Sequence, residues 1–306
     1  MIRKRGPLIR YGGNPILTPE TMPFECFSVF NTGAVRFKGK YLLLLRVEHR
    51  DLACYFYTAI SDDGINFTVN QEPINYPCSE AEKNNPGTRF DMRITPIDGT
   101  FYVCHAIYSS LGSQIAMART DDFVNFEPIS NPSVPSNRNA VLFPEKIGGL
   151  YARLERPQDL GGTGAIWISY SPDLIFWGKS SPLFIPRMNW GTRKVGAGII
   201  PIKTEKGWLE IYHGTMLTAS TENYFLGAVL LDLEDPSKVI AAPKEFILAP
   251  EMDYERIGQV PNVVFTGGAI ETDDGKLNIY YGGADTRVCL AQTTVSELLE
   301  FCLNSK

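Results

Sequence analysis

The 306-residue chain has only three histidines, His49, His105 and His213, and they stand far apart. Its six cysteines, at 26, 54, 78, 104, 289 and 302, include no C-x-x-C pair. Ligand spacing of the zinc type is therefore missing, and no metal site is expected. Free cysteine behaves as a small hydrophobe, and Cys104 and Cys289 lie inside apolar runs. The six are expected to be buried, reduced thiols of a cytoplasmic protein. Excess positive charge is missing too: 29 Lys and Arg face 34 Asp and Glu, for a net charge of −5. Sequence-independent binding to nucleic acid needs clustered Lys and Arg, so no DNA or RNA partner is expected. No stretch reaches about 18 uncharged apolar residues, which excludes a membrane-spanning helix. The basic start, Met1 to Pro7, runs into no apolar segment, so no secretory signal is expected.

What the chain does have is a repeated phrase. Ser61-Asp62-Asp63-Gly64-Ile65-Asn66-Phe67, Thr120-Asp121-Asp122-Phe123-Val124-Asn125-Phe126 and Ser171-Pro172-Asp173-Leu174-Ile175-Phe176-Trp177 share one design. Each sets an acid two residues after a Ser or Thr and an aromatic six residues after it. Asp at that place closes a turn by accepting bonds from its own backbone. Upstream of each copy stands a second phrase, an alternating strand, a Gly-containing hairpin turn and another strand, over 33–43, 93–103 and 140–151. It recurs over 199–209 and 263–281. Five units of roughly fifty to sixty residues, each of about four short strands, predict an all-β fold, a five-bladed β-propeller. A β-sandwich would not need five copies of one phrase. The propeller is expected as a single domain over 1–306, its first ~30 residues packing back to complete or cover a blade. A short C-terminal helix is expected over 294–301, with Thr294 or Ser296 as its N-cap.

In a propeller the innermost strands line a central channel, and the loops at one end form a funnel. Polar residues that interrupt apolar strands at the start of each repeat are therefore the candidates. They are Asn31, Asp91 with Arg93, Asn137-Arg138-Asn139, Lys194 and Asn262. Later strands add Arg46, Arg153, Arg156, His213 and Asp285. Singly, each has a plain reading as a turn former or an ion-paired edge residue. Their recurrence at one position in every repeat points to a site. Arg138, Arg153, Lys194 and His213 would make an oxyanion cradle, since Arg meets phosphate bidentately and Lys acts as a point charge. His213 adds a charge that changes near neutrality. Asp91, between Phe90 and Met92, is a carboxyl in an apolar run, where a raised pKa would suit an acid. An ion pair with Arg93 is the structural alternative.

These residues sit in phrases that resemble a known family. The phrases include Phe30-Asn31-Thr32-Gly33-Ala34, Phe90-Asp91-Met92-Arg93-Ile94-Thr95 and Asn137-Arg138-Asn139-Ala140-Val141-Leu142-Phe143-Pro144-Glu145. They continue through Arg156-Pro157-Gln158-Asp159, Lys194-Val195-Gly196-Ala197-Gly198, Ile211-Tyr212-His213-Gly214 and Tyr280-Tyr281-Gly282-Gly283-Ala284-Asp285-Thr286. The chain resembles glycoside hydrolase family 130, inverting mannoside phosphorylases and hydrolases on a five-bladed propeller. The resemblance implies that Asp91 is the catalytic acid, protonating the glycosidic oxygen through the 3-hydroxyl of the −1 mannosyl unit. Asn31, Arg46 and Asp285 would bind that sugar. Arg138, Lys194, His213 and a second arginine, Arg153 or Arg156, would hold phosphate. The implied reaction is attack of phosphate on a β-mannoside to release α-D-mannose 1-phosphate, with phosphate as co-substrate and no cofactor. The alternatives are an inverting β-mannosidase of the same fold and a non-catalytic glycan-binding propeller. Asp91-Met92-Arg93 and the Arg156 phrase are closer to the mannosyl-glucose branch. Phe143-Pro144-Glu145-Lys146 is closer to the mannooligosaccharide branch. Acceptor, linkage and any homo-oligomer stay open, with the segments 74–88 and 215–224 expected to choose the acceptor.

Overall fold

The computed structural model describes residues 6–304 apart from Pro86, Pro132, Leu160, Pro186, Arg187 and Ser220. The basic Met1–Arg5 lies outside the described residues. Five antiparallel sheets follow one another along the chain, as the repeats predict. Blade one is built from Ser28–Phe37, Lys40–Glu48, Cys54–Ser61 and Thr68–Val69. Blade two runs from Thr88–Ile97 to Glu127–Ser130, and blade three from Asn137–Leu142 to Gly178–Phe184. Blade four runs from Lys194–Ala197 to Val239–Ala241. Blade five takes three strands, Val264–Glu271, Leu277–Gly283 and Arg287–Thr293, from the end of the chain. Its outermost strand, Ile9–Arg10, comes from the beginning and pairs with Arg287–Thr293.

The repeated phrase forms the turn that its residues dictate. Asp63 Oδ1 accepts the backbone N–H of Ile65 and of Asn66, both at 2.8 Å. Asp122 and Asp173 repeat the pattern on Val124 and Asn125, and on Ile175 and Phe176. These bonds favour the charged carboxylate and pull the Asp122 pKa down to about 2. The C-terminal helix spans Val295–Asn304, three residues past the expected end. Thr294 caps it by accepting the Glu297 N–H at 3.1 Å, while Glu297 accepts the Thr294 N–H at 3.0 Å.

The core is divided into five clusters, one at each blade interface. Strand alternation explains why the second strand of blade one reads as a continuous apolar run. Leu42 and Leu44 face blade two, whereas Leu43, Leu45 and Val47 face blade five. The cysteines depart from expectation. Cys104, Cys289 and Cys302 are buried free thiols, but Cys26 and Cys54 are half-buried and Cys78 is exposed. Cys78 lies in the connection between blades one and two, outside any strand, which leaves its side chain no core to enter. No helix among the described residues is long and apolar enough to cross a membrane.

Candidate active site

The innermost strands are interrupted at matching places. Register shifts fall between Phe30 and Gly33 in blade one, Phe90 and Arg93 in blade two, and Arg138 and Val141 in blade three. At each shift one polar residue takes a left-handed backbone: Asn31 (φ 46°), Asp91 (φ 58°) and Asn139 (φ 57°). Asn and Asp tolerate this region better than other side chains, and a bulge re-aims the residue that occupies it. The three are thus bulge residues on the channel wall, and not the turn formers of the plain reading. All three line a pocket of about 380 Å³ together with Arg46, Phe90, Arg138, Arg156, His213, Tyr224, Phe265 and Asp285.

One wall carries the acid. Arg46 lies on the same face of its strand as Leu42 and Leu44, toward blade two, and so reaches Asp91. Asp91 Oδ1 accepts from Arg46 Nη1 at 3.2 Å and from Asn31 Nδ2 at 3.0 Å. The guanidinium of Arg46 sits 4.3 Å from the centre of the Phe30 ring and donates from Nη2 to Glu48 at 2.5 Å. Burial alone would raise the Glu48 pKa, but Arg46, Gln259 and Ser28 hold it below the usual value. Arg93 makes no ion pair with the Asp91 carboxylate. Its Nη1 donates to the Asp91 backbone carbonyl at 2.8 Å, and its Nε and Nη2 donate to Gly198 and Ala197 carbonyls, both at 3.0 Å. This buried side chain braces the bulge of blade two against blade four. Asp285, at φ 48° in the last hairpin of blade five, is pushed up to about 7. Burial is the main cause, and the negative charges of Asp91 and Glu48 add to it against the pull of Arg46.

The opposite wall carries cations. Arg156 shares its strand face with Ala152 and Leu154, which pack toward blade four. Its Nη1 meets His213 Nε2 at 2.8 Å. Gly196 makes this approach possible, since a Cβ there would lie 2.6 Å from His213 Cε1 and 3.0 Å from Arg156 Nη1. An arginine can only donate, so Nε2 accepts and the imidazole proton sits on Nδ1, which is buried with no partner. Burial first, and the charges of Arg156, Arg93, Lys194 and Arg138 after it, push the His213 pKa well below its usual value. His213 is therefore a neutral N–H donor, which corrects the expectation of a charge that changes near neutrality. Burial, with Arg138 adding to it, also pulls Arg156 down to about 9. Among the described residues Arg138 and Arg156 make no ion pair, and Arg138 Nε and Arg156 Nε are buried without partners.

The structure does not bring every candidate into the pocket. Arg153 lies three positions before Arg156, on the other face of the strand. It pairs with Glu155 at 2.6 Å and stacks 4.0 Å over Trp177. Lys194 is buried beside the pocket, its Nζ 2.5 Å from Glu222 Oε2. Tyr224, Phe265, Glu48 and Glu222 were not singled out from the sequence. Asn139 was a candidate at the start of its repeat but was given no role, and its alignment with Asn31 and Asp91 was the available signal.

Fold and site together define a five-bladed propeller whose funnel sets one clamped carboxylate against uncompensated cations. Residues 9–304 match the family described as β-1,4-mannooligosaccharide phosphorylase, glycoside hydrolase family 130, and the chain belongs to that family. It is 36% identical over 301 residues to a β-1,4-mannooligosaccharide phosphorylase of Ruminococcus albus, covering 95% of this chain and 90% of the relative. It is 39% identical over 301 residues to a 1,2-β-oligomannan phosphorylase of a Thermoanaerobacter species, covering 93% and 96%. The solved structure of a β-1,2-mannobiose phosphorylase from Listeria innocua with β-1,2-mannobiose superposes with a TM-score of 0.88. It is 32% identical and covers 97% of this chain and 99% of that one.

Proposed function

We propose that this protein is an inverting β-mannoside phosphorylase that cleaves a β-mannoside with inorganic phosphate and releases α-D-mannose 1-phosphate. The observation that carries this reading is the pair of uncompensated arginines on the pocket wall, buried Arg156 and half-buried Arg138, with the neutral imidazole of His213 against Arg156. A charge without its partner is costly inside a protein, so such a pair calls for an anion. Phosphate is anionic already and needs no general base; the cations hold it in line and offset its repulsion from the carboxylates. One phosphate oxygen attacks the anomeric carbon while the bond to the glycosidic oxygen breaks, inverting the centre. The leaving oxygen takes a proton that originates on Asp91. With Oδ1 already accepting from Asn31 and Arg46, that proton sits on Oδ2 and passes through the 3-hydroxyl of the −1 mannose. Asn31, Arg46 and Asp285 hold the sugar.

A hydrolase would need a free carboxylate beside the attacking water. The acid on the cation wall, Glu222, instead accepts from Lys194, Thr215 and Tyr224 and is ion-paired with Arg193. A second reading of the acid has one observation in its favour: Asp285, at about 7, is poised to donate a proton near neutrality. An aryl mannoside whose leaving group needs no protonation separates the two, because only the variant of the true acid recovers its rate on it. The reaction itself is tested by incubating β-1,4- and β-1,2-mannobiose with and without phosphate. Phosphate-dependent release of mannose 1-phosphate supports the proposal, and equal turnover without phosphate refutes it. Running the reverse reaction with a panel of acceptors identifies acceptor and linkage.

A further inference from the structure

Two more cations stand behind the pocket wall formed by Tyr224. Lys194 Nζ lies 2.5 Å from Glu222 Oε2 and Arg193 Nε lies 3.2 Å from Oε1. Thr215 Oγ1 donates to Oε1 at 3.0 Å, and the Tyr224 hydroxyl donates to Oε2 at 3.3 Å. Lys194 Nζ is also 5.9 Å from the centre of the Tyr224 ring, which in turn meets the rings of His213 and Phe265. Tyr224 lines the pocket, so one residue separates this ion pair from the anion site.

The two uncompensated arginines, Arg138 and Arg156, match the charge of a phosphate dianion. Four free cations would exceed it. Holding phosphate equally tightly in the ground state and the transition state raises affinity without speeding turnover. Surplus charge would also retain the sugar phosphate product. We propose that Glu222 sets the phosphate affinity of the pocket by cancelling one of the two positive charges that Lys194 and Arg193 bring to it. This inference rests on the phosphorylase reading. Glu222 is then a positioning residue: it touches no substrate and acts through the field of the cations it holds.

Calorimetric titration of inorganic phosphate into the whole protein tests it on wild type and on Glu222→Gln, with Glu222→Ala as a second variant should the amide disturb folding. Removal of the charge should tighten phosphate by roughly three- to tenfold, a gain that damage to the fold would not produce. Unchanged or weaker binding in the folded variants overturns the proposal. In a Lys194→Met background the gain from Glu222→Gln should shrink, because one cation is no longer there to release. An undiminished gain overturns the part assigned to Lys194. If wild type binds phosphate yet turns over mannosides without it, the phosphorylase reading fails while the measured affinities still decide the role of Glu222. If no protein binds phosphate, both fall.

Discussion

The two walls of the funnel treat buried charge in opposite ways. On the side of blades one and two, Arg46 is answered by Asp91 and Glu48, and Asn31 adds a further bond to Asp91. On the side of blades three and four, Arg156 faces a neutral imidazole and another arginine, and its pKa falls to about 9. On the acid wall the charge of Arg46 is paired within the chain. On the cation wall no carboxylate among the described residues forms an ion pair with Arg138 or Arg156, and the proposed function assigns that charge to phosphate.

Breaking each wall should therefore give unlike results. The largest effect is expected at the acid: Asp91→Asn should lower kcat by about 10²–10⁴, the usual range for a general acid, while the unfolding midpoint stays near that of wild type. Retention of more than about a tenth of the rate would show that Asp91 is not the acid. Stability separates the walls next. Arg46→Met strands two buried carboxylates and should cost about 3–5 kcal/mol in urea unfolding. Arg156→Met removes a charge with no partner and should leave stability equal or higher without phosphate. Comparable losses in both variants would erase the contrast between the walls.

The same arginines should separate the substrates in kinetics. Arg138→Met and Arg156→Met should raise KM for phosphate about ten- to hundredfold, with far smaller changes for the mannoside. Equal losses for both substrates would mean that these cations only join the blades.

Two pH tests sharpen the picture further. The Asp285 pKa of about 7 lies above the ordinary carboxylate value, so the folded state keeps a proton that the unfolded chain releases. Its stabilising contribution is full below about pH 4 and is lost as pH rises through about 7. The stability difference between wild type and Asp285→Asn should shift over that window, by on the order of 4 kcal/mol at most. A difference that stays flat would place the group in water. The smallest effect concerns His213. Because it is neutral across this range, plots of phosphate KM against pH for wild type and His213→Asn should run parallel from about pH 6 to 8. Divergence would show that the imidazole gains a proton there.

Blade number and turn chemistry were legible in the sequence because both rest on neighbours along the chain. Asp63, Asp122 and Asp173 bond to N–H groups two and three residues away, so their motif contains its whole explanation. The sites of Asn31 and Asp91 were legible as interruptions of apolar strands, and the bulges give that interruption its geometry. The choice between Arg153 and Arg156 stayed open, although strand parity contained the clue. Ala152 and Leu154 share a face with Arg156, and only the packing shows that this face turns to blade four.

Partners that lie far along the chain were beyond reach. Asn31 and Asp91 are 60 residues apart, Arg156 and His213 are 57, and Lys194 and Glu222 are 28. Nothing local marks Glu222 as the residue that holds Lys194, and nothing local shows His213 to be neutral. The sequence by itself determined the repeat, the turns and the kinds of side chain available to the channel, since each depends on contacts within a blade. Only the tertiary structure decided which charges are paired and which are not, because burial and contacts such as Asp91 with Asn31 and Arg46, and Arg156 with His213, arise where one blade closes against the next.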